Sequence, residues 1–179
     1  MPEHEIPLRA FAHPLRLQIL SLLTGAPMSA AEVARELGGT QANASYHLRQ
    51  LYDARLLDVA EEVSVRGGRA KRYRHNPSTG NRLSGPEPSD RLAMAAALSE
   101  ELRRRTMLRD AGRPAPMTDA ELWVDPDLWR DICDRVTLAM TELHDAARPP
   151  RTPGTVRTST TVSMFTMVPS PDPSSQDPA

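Results

Sequence analysis

A single cysteine, Cys133, occurs among 179 residues. One thiol can neither close an internal disulfide nor assemble a thiolate metal cluster, so a disulfide-stapled or zinc-built fold is excluded and a reducing cytoplasm fits. No apolar run approaches the ~18 residues of a membrane helix. Glu3 and Glu5 precede any apolar run, where a secretory leader would be basic and then apolar, so a soluble, cytoplasmic protein is expected. Gly-rich phosphate loops, nucleophile elbows and paired catalytic carboxylates with a partner base are missing, and an enzyme is not expected. No internal repeat is visible.

Proline, by contrast, is plentiful: 17 residues, clustered between Pro77 and Pro88, between Pro114 and Pro116, and from Pro149 onward. These clusters mark seams, and the length suits one small domain with an appendage. The net charge of −1 hides an asymmetry. Residues 66–82 carry Arg66, Arg69, Lys71, Arg72, Arg74 and Arg82 without an acid, whereas residues 119–134 carry six acids against Arg130. The basic stretch calls for an anionic partner.

Leu8, Phe11, Ala12, Leu15, Ile19, Leu22 and Leu23 recur at helical spacing. Pro14 divides them, which predicts a short helix over 6–12 and a second over 14–24 capped by His13. At 28–33, Ser29 and Glu32 form a capping box and Met28 can staple onto Val33, so a helix starts there and stops at Gly38-Gly39. Thr40 caps the next helix, 41–54, with Ala44, Leu48 and Leu51 inward. Two helices joined by a short glycine turn make a helix-turn-helix. Runs 59–65 and 70–75, separated by Arg66-Gly67-Gly68-Arg69, then predict a β-hairpin wing.

The expected fold is therefore mainly α with a small β component. It is a winged helix-turn-helix over residues 1–76, with a three-helix core and a hairpin wing. A linker follows at 77–88, then a helical dimerisation or effector region at 89–168, and a disordered tail at 169–179. In that region helices are predicted over 89–110 and 125–147, with candidate strands at 121–124 and 155–168.

A helix that enters the major groove must present donors and acceptors along its first turns. Gln41 and Asn43 suit adenine, Arg49 suits guanine or phosphate, and Thr40, Ser45 and Tyr46 suit the backbone. Arg66, Arg69, Lys71 and Arg72 at the hairpin would lie along phosphates or enter the minor groove. The partner read from these residues is double-stranded DNA. The rival from another class is a winged-helix protein-interaction module whose wing meets an acidic partner.

Residues 12–20 (AHPLRLQIL), 31–37 (AEVAREL) and 41–51 (QANASYHLRQL), through Leu56-Leu57, resemble the winged-helix region of the arsenical-resistance-repressor family. Ser45-Tyr46-His47-Leu48-Arg49-Gln50-Leu51 is the most specific part, and the resemblance spans roughly residues 7–76. It implies a homodimeric repressor whose helix 41–54 sits in the major groove of a palindromic operator. Two departures stand out. Residues 29–37 hold no Cys or His and the later dimer helix lacks the family's histidine and acid ligands, so a metal sensor of the usual kind is not expected, nor is a cofactor; and Arg55 stands where the family often has glycine.

Among the other candidates, Cys133 sits between Asp131 and Asp134 rather than beside the cations that activate a thiol, which argues against a redox switch. His13 and His47 lie near inward faces and are read as structural. Trp123 and Trp129 are read as core or as the lining for an unidentified small-molecule effector. The helix at 89–110 is the candidate dimer interface, because its apolar stripe needs burial and half-sites are read by two-fold dimers.

Overall fold

The computed structural model describes residues 6–65, 68–75, 83–84 and 87–168. The chain is mostly helical, with one antiparallel hairpin following three helices, as expected of a winged helix-turn-helix followed by a helical region. Arg66, Arg82, most of the 77–88 linker and the 169–179 tail lie outside the described residues.

The expected helix over 6–12 does not form. Ile6–Pro7 (β1) pairs in parallel with Leu83–Ser84 (β4), and Leu8–Ala10 make a single 3-10 turn. Phe11 N–H closes that turn on the Leu8 carbonyl at 2.9 Å. Only six residues separate Pro7 from Pro14, too few to offset helix nucleation. From Pro14 to Gly25 the chain is helical (α1), and His13 Nδ1 accepts the Leu15 N–H at 3.1 Å as its cap.

The Ala30–Leu37 helix (α2) begins with the reciprocal box read from the sequence. Ser29 N–H donates to Glu32 Oε2 at 2.7 Å, and Glu32 N–H to Ser29 Oγ at 3.4 Å. Gly38 stops it at φ 71°, a conformation glycine adopts without a Cβ penalty. Thr40 Oγ1 then accepts the Asn43 N–H at 3.2 Å to start Gln41–Asp53 (α3).

The end of α3 is a Schellman turn. Arg55 N–H bonds the Tyr52 carbonyl and Leu56 N–H the Leu51 carbonyl, each at 2.9 Å. Leu51 and Leu56, the apolar pair that accompanies this turn, are both fully buried. The left-handed position falls on Arg55, at φ 60°.

Leu57–Val65 (β2) and Gly68–His75 (β3) form the hairpin, with Val59 opposite Tyr73 and an irregularity between Val59 and Glu61. Tyr73 also exchanges both backbone hydrogen bonds with Met28, at 2.9 and 3.0 Å, so β3 lies between β2 and the residue before the Ser29 cap of α2. The core beneath consists of Ile19, Leu20 and Leu23 from α1, Val33 and Ala34 from α2, and Ala44, Leu48 and Leu51 from α3. Phe11, Met28, Leu56 and Leu57 complete it. Each fully buried Leu or Ile contributes roughly 1.5–3 kcal/mol.

Pro88–Thr106 (α4) packs on α1 and the 3-10 turn, and the stripe of Leu92, Ala95, Ala96, Leu98 and Leu102 is not the side that does so. Ala97 and Glu101 are buried and Met94 touches the core, whereas Leu92 is 70 % and Leu102 50 % exposed. A carboxylate takes the inner position because its partners are there. Gln18 Nε2 donates to Glu101 Oε1 at 2.6 Å, and Arg104 and Arg105 donate to Oε2 at 2.9 and 3.2 Å.

Pro126–Asp145 (α5) is capped by Asp125, whose Oδ1 accepts the N–H groups of Asp127 and Leu128. The candidate strands at 121–124 and 155–168 do not form; both segments are exposed and without regular structure. β-Branched residues favour a strand only against a neighbouring strand, and among the described residues neither segment has one. Trp123 is 87 % exposed, so it is not core. Beyond α5 the chain returns to the body: the Arg148 carbonyl lies where a Cβ on Gly25 would stand, and Arg151 pairs with Glu36.

Candidate nucleic-acid interface

Exposure along α3 separates two faces. Ala44, His47, Leu48 and Leu51 are buried, and Ala42, Ser45, Tyr46 and Arg49, at intervals of three, one and three, lie on the opposite side. Gln41 and Asn43 flank this stripe at the first turn, both exposed, beside Thr40, whose hydroxyl already serves as the cap. The structure thus brings Thr40, Gln41, Asn43, Ser45, Tyr46 and Arg49 onto one surface. Ala42 and Gln50 belong to the same surface, and the 42-45-46-49 spacing was the sequence signal for Ala42. Its methyl suits the thymine C5-methyl.

This helix is held from behind by two histidines. His47 is 6 % exposed, and its ring centroid lies 4.8 Å from that of His13, the α1 cap. Arg16, on the next turn of α1, donates to the carbonyls of Arg9 and Ala10. Burial, and then the neighbouring His13 and Arg16 charges, pull the His47 pKa below the ordinary histidine value, favouring the neutral ring. His47 Nδ1 has no hydrogen-bond partner among the described residues.

At the wing the four basic candidates part company. Arg69 is 76 % exposed at its side chain and pairs with Glu62 at 3.0 Å. Lys71 is exposed, its Nζ 6.0 Å from the Tyr52 ring centroid. Arg66 lies outside the described residues.

Arg72 is turned inward. Its guanidinium donates to Glu61 Oε1 at 2.7 Å, to the Pro27 carbonyl at 2.7 Å and to both Glu32 oxygens at 3.2 and 3.3 Å. It is therefore engaged in fastening the wing to the start of α2. Burial alone would raise the Glu32 carboxyl pKa, but the Ser29 hydrogen bonds and Arg72 outweigh it and hold the group below the usual carboxylate range.

β2 also answers β3 in charge. Asp58 opposes Arg74, Glu61 opposes Arg72 and Glu62 opposes Lys71. The stretch that contains no acid in sequence is thus lined by three acids in space, and the wing is less cationic than the run of residues 66–82 suggests. Arg74 is exposed beside these pairs, a further cation on the hairpin.

No three His, Cys, Asp or Glu side chains gather as a metal-binding group among the described residues. No helix of the described residues is long and apolar enough to cross a membrane.

Three helices, a glycine turn, a capped and solvent-facing third helix and an antiparallel hairpin define a winged helix-turn-helix. A family described as a helix-turn-helix domain matches residues 11–60, which runs from Phe11 through α1, α2 and α3 into β2. The chain carries that domain, the kind found in DNA-binding regulators. No curated protein matches the chain.

Proposed function

We propose that the protein is a sequence-specific transcriptional regulator of the arsenical-resistance-repressor type, a cytoplasmic homodimeric repressor that reads a palindromic operator through α3. The observation that carries this reading is the exposed surface of Gln41, Ala42, Asn43, Tyr46, Arg49 and Gln50, with half-buried Ser45 among them, on a helix whose other side is locked into the core. Hydrogen-bonding side chains and one methyl on a rigid helix are what base-edge readout requires. Arg69, Lys71 and Arg74, with Arg66, supply backbone attraction from the wing, while Arg72 positions it.

In this reading residues 1–76 bind DNA, residues 77–88 link, and residues 89–168 dimerise or respond to an effector. The protein acts by binding and not by catalysis. The outward side of α4, with Leu92, Ala95, Ala96, Ser99 and Leu102, supports the dimer: an apolar helix side in water needs a partner. Selection of bound duplexes from a random pool tests the reading. A two-fold-symmetric sequence is expected to enrich, and failure of any sequence to enrich would favour the protein-interaction module.

A further inference from the structure

α5 is twenty residues long, amphipathic and firmly capped, yet none of its residues is buried. Leu128, Trp129, Ile132, Val136, Met140 and Leu143 follow one another at intervals of one, three or four and form a broad apolar side; Leu128 is 52 % and Leu143 40 % exposed, and Trp129, Ile132, Val136 and Met140 between them are only half-buried. Most helical stability comes from burying such a side, so a helix of this kind implies a partner surface. Residues 107–125, which lead into it, are exposed throughout and lack regular structure. A connection that long is uncommon within a compact domain and is able to reach a second molecule.

We infer that the apolar side of α5 lies on the outward side of α4 of a second copy of this chain, so that two copies exchange arms about a two-fold axis. This rests on the homodimer reading above and specifies how that dimer is built. Lengths match: nineteen residues of α4 face twenty of α5, each close to 30 Å at 1.5 Å per residue. The outward side of α4 sets small residues, Ala95, Ala96 and Ser99, between exposed Leu92 and Leu102, which lets a second helix approach closely.

Charge selects α4 over a second α5. α5 carries five acids against two arginines, so two copies of it side by side repel. α4 carries four arginines against three acids, and residues 107–113 add Arg109 and Arg113 against Asp110. The acidic helix therefore meets one with a slight excess of cations, which repels it less than a second α5 would, although Arg103, Arg104 and Arg105 also pair with Glu100 and Glu101 of their own helix. The anchor of each arm stays with its own chain, where the Arg148 carbonyl crosses Gly25 and Arg151 pairs with Glu36.

Cys133, the only cysteine, provides the test, because it lies near the middle of α5. In the full-length Ser99→Cys variant, heavy- and light-isotope preparations are mixed, allowed to exchange protomers, and treated with a short bis-maleimide. The expected product joins position 99 of one copy to Cys133 of the other, as a mixed heavy–light peptide pair in mass spectrometry. A dimer by sedimentation that yields only Cys133–Cys133 links, only same-isotope links or no link overturns the arm exchange and leaves the dimer reading standing. A monomer at micromolar concentration overturns both.

Discussion

Arg72 and Glu32, forty residues apart in sequence, are joined by two hydrogen bonds, Nε to Oε2 at 3.2 Å and Nη2 to Oε1 at 3.3 Å. With the Pro27 carbonyl and Glu61 completing the guanidinium's partners, this contact ties the hairpin to the capping box that starts α2. The same carboxylate that accepts the Ser29 N–H therefore fixes the wing.

Arg72→Met is accordingly expected to cost about 1–3 kcal/mol of stability, because it strands the Pro27 carbonyl and the Glu32 carboxylate in a partly buried place. Urea unfolding measures this. The variant's salt dependence of DNA binding should match the parent's, whereas Arg69→Ala with Lys71→Ala should leave stability within about 0.5 kcal/mol and flatten the salt dependence. The reverse pattern would place Arg72 on phosphate.

How much of this was legible in sequence depends on distance along the chain. The Ser29–Glu32 box, the Gly38 stop and the Thr40 cap each rest on residues within a few positions of one another, and each is present as read. Arg72 was not legible as a structural residue, because Glu61 and Glu32 reach it only through the hairpin register and the packing of β3 beside Met28. The same holds for α4. Spacing marked an apolar stripe on this helix but not which side meets α1, because the partners on α1 and α4 that draw Glu101 inward are met only in the fold. For 121–124 and 155–168, β-propensity was read correctly as a composition, but a strand also needs a neighbour to pair with.

A second prediction concerns pH. His75 Nδ1 lies 3.0 Å from Thr24 Oγ1, and burial, then the charge of His144, lowers its pKa to about 4. A histidine depressed in the folded state contributes its full stability above the unfolded value near 6.5, and that stability is lost as pH falls toward 4. Between pH 7 and pH 5 the loss should be about 2 kcal/mol from this residue, with His47 adding to it in the same direction. His75→Asn should make denaturant midpoints less sensitive to pH over that range. An unchanged pH dependence would mean that His75 titrates alike in both states.

A third prediction follows from Arg55 at φ 60°. A side chain in the left-handed region costs of order 1 kcal/mol that glycine avoids. Arg55→Gly should therefore raise stability by roughly 0.5–1 kcal/mol, read as a higher urea midpoint, with the Schellman turn intact. A lower midpoint would show that Arg55 makes contacts that outweigh its backbone strain.

The central claim is that α3 reads base edges through its first two turns, and binding by Gln41→Ala and Arg49→Ala tests it most directly. Fluorescence anisotropy at fixed salt compares an enriched duplex with a shuffled one. Each variant is expected to lose about 1–3 kcal/mol on the enriched duplex and to bind the shuffled duplex as the parent does. Equal loss on both duplexes, or no loss on either, would contradict it.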